Sequence, residues 1–326
     1  MRVLNDMNTY FTVLTLLGLW YFADETTEYR WWTDLVNGFP FQQQDDRLIF
    51  VCLAQSILEF GFWFLVINLY IFERAGFLER FRLQAVPVDA EVIMRENALT
   101  KEAMQGVLVS HWVIRPALFY FLWPYFEMRS GPLRAPIPSF RIVLPQILGC
   151  MMIDDTWFYF WHRLFHAIPV LYRTIHKQHH RFTRPNVFAT EYAHPVEDVW
   201  VNSFGTILGP LLLGVHPFLL ILYPAMKLYQ SMEAHCGFNI PFPFSLSSVI
   251  DSMDCAPAHD FHHSNVVSNF GGWTMFWDWV FRTDVKYEHH VMVRKIHDPA
   301  FETARRPYKH DLSGLVVLGF ERSPKN

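Results

Sequence analysis

The chain has 326 residues, 52% of them hydrophobic and 17% aromatic, and only 18% are charged against about 25% in an ordinary soluble domain. A formal charge of -4 carries no basic excess and argues against nucleic acid as a partner. Cys52, Cys150, Cys236 and Cys255 form no C-x-x-C pair and read as isolated reduced thiols rather than a disulfide framework.

The first apolar stretch, Tyr10 to Phe22, is too short to cross a bilayer unaided. It is also a poor signal peptide, because bulky Leu19-Trp20-Tyr21-Phe22 stands where small residues are needed for cleavage. Leu48 to Phe72 is apolar apart from Gln55 and Glu59 and is predicted to span. Val107 to Phe126 is a second candidate, weakened by His111 and Arg115, and Ile142 to about Trp161 a third, with Asp154 and Asp155 near its far end. Arg74, Arg80, Arg82, Arg95 and Lys101 lie between the first two spans, whereas Ala23 to Arg47 has only Arg30 and Arg47 among many acids. The positive-inside tendency therefore puts that loop in the cytosol, and two further crossings bring His162 back to the cytosolic side.

Val201 to Met232 is apolar but broken by Gly209-Pro210, Gly214, Pro217 and Pro224. Two full spans need about 40 residues, so this stretch is predicted to be a re-entrant or shallow helical hairpin. Gly131 to Pro138 is a short turn, and the tail after Lys286 is polar and peripheral. The expectation is an all-α integral membrane protein, one integrated domain comprising membrane helices and a cytosolic loop (1–141), a histidine-rich region (142–285) and a tail (286–326).

Eleven of the sixteen histidines fall between His162 and His263. Three groups stand out: HRLFH (His162, His166), HKQHH (His176, His179, His180) and HDFHH (His259, His262, His263). Positions i, i+3 and i+4 share a helical face, so three short helical pieces offer eight imidazoles. A structural zinc closes with four ligands, which makes eight too many for one zinc and favours two metals in a histidine-rich helical cap. Zinc, copper, iron and nickel all suit imidazole, so spacing leaves the element open. His194 and His235 are single candidates, and Asp155, Glu191, Glu233 and Asp260 are the acids expected to orient the rings. His216 precedes Pro217 in the hairpin and reads as no ligand; His111, His289, His290, His297 and His310 read as surface or packing residues. The aromatic run Trp157 to Trp161 reads as membrane-interface or helix-packing surface. Arg163, Arg173, Lys177, Arg181, Arg184, Arg282 and Lys286 suit positive-inside anchoring or a landing face for an acidic electron carrier.

In order and spacing, DDTWFYFWHRLFH, LYRTIHKQHH, EYAHPVE, EAHCGF and HDFHHSNVVSNFGGWTMFWDWVFRTD resemble the fatty acid hydroxylase/sterol desaturase superfamily. EYAHPVE and EAHCGF look most like its C-4 methylsterol oxidases. The resemblance covers Ile142 to Asp284 and implies a membrane monooxygenase with a di-iron centre, although zinc can replace iron in a purified sample. It also implies O2 as oxidant and electrons from NAD(P)H, delivered through cytochrome b5 or its reductase, in the endoplasmic reticulum membrane. The substrate it implies is a sterol. Carried over by position, the metal ligands are the eight box histidines together with His194 and His235. Two positions depart from the pattern: Ala167 and Ala258 stand where many relatives have histidine. Hydroxylation or desaturation of another lipid is the alternative within the superfamily, and a membrane metal-binding or transport protein the alternative outside it. Transporters place ionisable ligands within their spans, whereas these boxes lie beside them.

Overall fold

In the computed structural model, residues 7–24, 28–38, 45–240, 245 and 255–297 are described. The last residues, with His310 and the final ERSPKN, lie outside them. Among the described residues the order is helical throughout, with two isolated bridges, Tyr29 to Ile137 and Arg82 to Phe238, and no strand. The helices are α1 (Met7–Phe22), α2 (Trp31–Asn37), α3 (Asp46–Arg74), α4 (Ala90–Val109), α5 (Arg115–Ser130) and α6 (Phe140–Ala167). They continue with α7 (Pro169–Thr174), α8 (Pro195–Glu197), α9 (Phe204–Leu213), α10 (Leu219–His235), α11 (Cys255–Asn265), α12 (Phe276–Phe281) and α13 (Val285–His297).

Local chemistry accounts for the starts of the long helices. Asp45, Asp89 and Ser139 each accept a backbone N–H two residues on, capping α3, α4 and α6. Helices α4 and α5 form one rod, broken only by a π-helical turn at Ser110–Ile114 just before Pro116. Proline has no N–H to give to the preceding turn, and the wider turn rotates His111 inward. His111 is fully buried, with its Nδ1 2.8 Å from Glu59 Oε1. It is a packing residue whose ring faces the Glu59 carboxylate.

Among the described residues, two helices are long and apolar enough to cross a membrane: α3, and the 41-residue rod Ala90–Ser130. Both expose large apolar side chains, including Phe60 and Phe64 on α3 and Phe121 and Tyr125 on α5. Contiguous apolar exposure of that kind marks a face meant for another apolar phase. Helix α6 also has the length of the third expected span, with 28 residues, but Asp154 and Asp155 on it are buried among tertiary hydrogen bonds.

Helices α9 and α10 fold back on each other as the expected hairpin, and α9 lies against α6. Gly214 closes α9 at φ 57°, a left-handed conformation that glycine adopts without steric cost. The Arg129 guanidinium donates to the Leu211 and Leu212 carbonyls at 3.0 Å each, satisfying the end of α9. Gly209 permits the close approach to α6, because a Cβ there would sit 2.8 Å from Cys150 Cα. That obstacle is backbone and cannot rotate away. Gly209→Ala is therefore expected to destabilise the fold by about 1–3 kcal/mol, measured by thermal unfolding in detergent; an unchanged midpoint would contradict this packing. The main core lies between α3, α5, α6 and α10, around Phe50, Trp123, Val143, Leu219 and Tyr223. The segments 176–203 and 255–284 carry His176, His179, His180, His194, His259, His262 and His263.

Candidate metal centre

Helix α6 presents His162 and His166 on successive turns. A 3-10 turn over His176–Arg181 supplies His176, His179 and His180, the end of α10 supplies His235, and α11 supplies His259, His262 and His263. The rings gather in two adjoining groups. One holds His162, His166, His176, His180 and His262; the other holds His179, His235, His259 and His263, and within each group the nitrogens lie within 4.8 Å of one another. Two of the boxes are thus split between groups: His179 leaves its neighbours, and so does His262. On α11, positions 259 and 263 share a line one turn apart, while 262 is rotated off it.

Hydrogen bonding fixes the orientation of the rings. Nδ1 of His162 meets the Phe270 carbonyl at 3.0 Å, that of His179 meets Tyr192 at 3.3 Å, and that of His235 meets Ser231 at 2.7 Å. Nδ1 of His262 meets the Ser268 carbonyl at 2.6 Å, and that of His263 meets Phe182 at 2.8 Å. His176 Nδ1 faces a carboxylate, Glu197 Oε1, at 2.7 Å. Carbonyls and carboxylates accept, so these Nδ1 atoms carry the protons and the Nε2 lone pairs point inward. His166 hydrogen-bonds to the backbone of Val266, whose φ of 63° is rare for a β-branched residue.

Inward lone pairs should repel, yet they crowd together. In the first group Nε2 of His180 is 2.9 Å from that of His176, 3.1 Å from that of His166 and 3.2 Å from that of His262. In the second group Nε2 of His235 is 2.9 Å from that of His259 and 3.3 Å from that of His179. Protonation to imidazolium does not relieve the crowding. Burial, and after it the neighbouring His162, holds His176 well below the usual imidazole range, and burial lowers His179 to about 4. Nitrogens about 2.0–2.1 Å from one cation stand about 2.9–3.3 Å apart between right-angled and tetrahedral directions, which is the spacing found. Nε2 of His263 is buried with no hydrogen-bond partner, as a donor kept for a metal would be. The donor set therefore fits two cations.

The pH sign follows from these shifts. An imidazole held at about 4 when folded but about 6.5 when unfolded contributes stability that is complete above 6.5 and lost as pH falls towards 4. Bound metal and thermal stability should both fall over that window; retention of metal at pH 4 would contradict the assignment.

Not every expected residue is at the rings. His194 belongs to neither group; its Nδ1 accepts the Val196 N–H at 3.2 Å, capping α8. His194→Ala is expected to leave the metal content unchanged and to cost about 1 kcal/mol as a lost cap. Metal analysis of the purified variant decides it, since loss of an ion would make His194 a ligand. Glu191 pairs instead with Arg115 at 3.3 Å and with His111 at 3.7 Å. Glu233 hydrogen-bonds Ser245 Oγ, and Asp260 accepts from Gln84 Nε2 at 2.8 Å. Asp155 acts at one remove: it accepts the Trp273 N–H at 2.7 Å and Thr274 Oγ1 at 2.6 Å, fastening the loop whose Phe270 carbonyl holds His162. Asp278 accepts the Phe270 and Gly271 N–H groups of that loop at 2.8 Å each. Glu197 is the acid that the sequence reading passed over. It stands in EYAHPVE beside the histidine that drew attention, and nothing local marks it.

A cavity of about 170 Å³ opens beside the second group, with His235 and His259 in its wall. Leu118, Phe119, Leu122, Phe126 and Ile207 make it apolar, and Arg115, Glu191, Asp198 and Lys227 are among its polar lining.

Residues 147–283 match the fatty acid hydroxylase family. The chain is 32% identical over 262 residues to methylsterol monooxygenase 2-2 of Arabidopsis thaliana, covering 78% of this chain and 91% of that protein. Identity to methylsterol monooxygenase 1 of Rattus norvegicus is 33% over 226 residues, covering 67% and 74%. A cholesterol 25-hydroxylase-like protein of Danio rerio is 33% identical over 175 residues, covering 54% and 64%. No solved structure matches the chain.

Proposed function

This chain belongs to the fatty acid hydroxylase family, and on that premise we propose that it oxidises the C-4 methyl group of a sterol with O2 and NAD(P)H-derived electrons. It is an oxidoreductase of the monooxygenase class. The supporting observation is the pairing of nine inward-facing imidazoles with an apolar cavity walled by two of them. The balanced first step is R–CH3 + O2 + 2 e− + 2 H+ → R–CH2OH + H2O, and repetition carries the alcohol through aldehyde to acid.

The proposed ligands are the nine grouped histidines, holding one iron ion in each group. Bound iron supplies the activation of O2 that side-chain acids and bases cannot provide. The protein contributes placement. Nδ1 contacts lock the rings, Glu197 accepts from His176 Nδ1, and the apolar lining excludes water from the methyl group. In this reading α3, the α5 part of the rod and α6 cross the endoplasmic reticulum membrane, which leaves the histidines on its cytosolic side, and the sterol enters sideways from the bilayer.

Cytochrome b5 or its reductase is the proposed electron donor. Part of the expected basic face is already engaged: Arg181 lies 2.8 Å from Glu102, and Arg184 lies 3.8 Å from Glu96. The remaining cations, including Arg173 and Lys177, would do the docking. Turnover with the carrier is expected to fall as salt rises, and salt-independent rates would remove electrostatic docking.

The function is tested by incubating membranes containing the protein with NADH, O2 and a 4,4-dimethylsterol. C-4 alcohol and acid products are expected. Their absence, alongside conversion of a fatty acyl lipid, would reassign the substrate class.

A further inference from the structure

The cavity follows one face of α10. Pro224, Lys227, Leu228, Ser231 and His235 recur at intervals of three and four residues and all line it, so it runs about 16 Å along the helix to the metal groups. Lys227 is the cation on that face, and its side chain is only 12% exposed. An ammonium has three N–H donors, yet the structure gives this one a single hydrogen bond, to Gln230 Oε1 at 3.1 Å. The nearest carboxylate oxygen, Asp154 Oδ2, is 3.9 Å away and already accepts from Tyr223 and Trp273.

The ammonium is held in position. It lies 5.2 Å from the Phe158 ring centre and 5.1 Å from that of Trp273, an electrostatic attraction to both ring faces. Gly272 makes room for it, because a Cβ there would be 3.3 Å from Lys227 Nζ and 2.9 Å from Phe158 Cδ1. The other buried cation of the cavity, Arg115, is held closer to carboxylates, 3.3 Å from Glu191 and 3.7 Å from Glu59. Lys227 is also near the histidine groups: the Phe158 ring lies 5.0 Å from that of His162.

We infer that Lys227 is a specificity-determining residue, whose ammonium donates a hydrogen bond to the oxygen that the substrate carries beside the methyl group under oxidation. In a C-4 methylsterol that oxygen is the C-3 hydroxyl, on the neighbouring ring carbon, so fixing it fixes the methyl group. The inference rests on the sterol reading above and adds to it the group that selects the substrate.

The test compares a 4,4-dimethylsterol with the same sterol bearing hydrogen in place of the C-3 hydroxyl. Wild-type protein should show kcat/KM lower by about 10–100-fold for the deoxy sterol, since a hydrogen bond to a charged donor is lost. Lys227→Met, which keeps the aliphatic stem, should retain metal, raise KM for the hydroxylated sterol and bring the two substrates close to parity. Lys227→Arg should keep part of the preference. Equal use of both sterols by wild type would overturn the inference without reference to any variant, and so would undiminished preference in Lys227→Met. Conversion of neither sterol by wild type would overturn the sterol reading and the inference with it.

Discussion

Replacing His180 with alanine is expected to abolish turnover and to lower bound metal from two ions per chain towards one. His180 is central to the first group, its Nε2 lying 2.9–3.2 Å from those of His176, His166 and His262. Its loss opens that shell, while the second group, His179, His235, His259 and His263, keeps its four donors. The second group loses no donor, so its metal should be retained. Because metal binding and folding are linked, helicity should be recorded alongside metal analysis of the purified variant. His179→Ala is the mirror experiment and should empty the other group. A His180→Ala protein with both ions and wild-type turnover would sink the two-group assignment; simultaneous loss of both ions would show that the groups do not bind independently.

Glu197→Gln is expected to lower turnover or metal affinity by about 10–100-fold, the usual effect of removing a carboxylate behind a ligating histidine. The substitution preserves shape and leaves an oxygen able to accept from His176 Nδ1, so what is removed is the ability to ionise against a bound cation. Burial, with Asp198 beside it, pushes Glu197 up to about 8, and its Oε2 has no hydrogen-bond partner. A buried carboxylate of this kind is costly unless positive charge lies near, and a cation among the neighbouring rings supplies it. The checks are metal affinity by competition with a chelator and steady-state turnover. Activity equal to wild type would mean that Glu197 merely fills space.

These variants touch the part of the protein that could not be read locally. Periodicity identified the three boxes, because i, i+3 and i+4 share a face whatever surrounds the helix. It could not divide them. His179 is three residues from His176 and one from His180, yet it joins His235, 56 residues away, at 3.3 Å. His194 and His235 looked equivalent as single histidines, but one caps a short helix and the other joins the second histidine group. Asp155 was singled out for the rings and instead fastens a loop 118 residues further on.

The amino-acid sequence by itself determined the helical class, the long apolar segments and the clustering of imidazoles, since each depends on residue type and spacing within a few turns. Tertiary structure alone decided which rings face one another, that Glu197 stands behind His176, and that Lys227 reaches a cavity beside the metal groups. Those outcomes depend on how helices distant along the chain pack. Local spacing sets the face a side chain occupies, and only packing sets what stands opposite it.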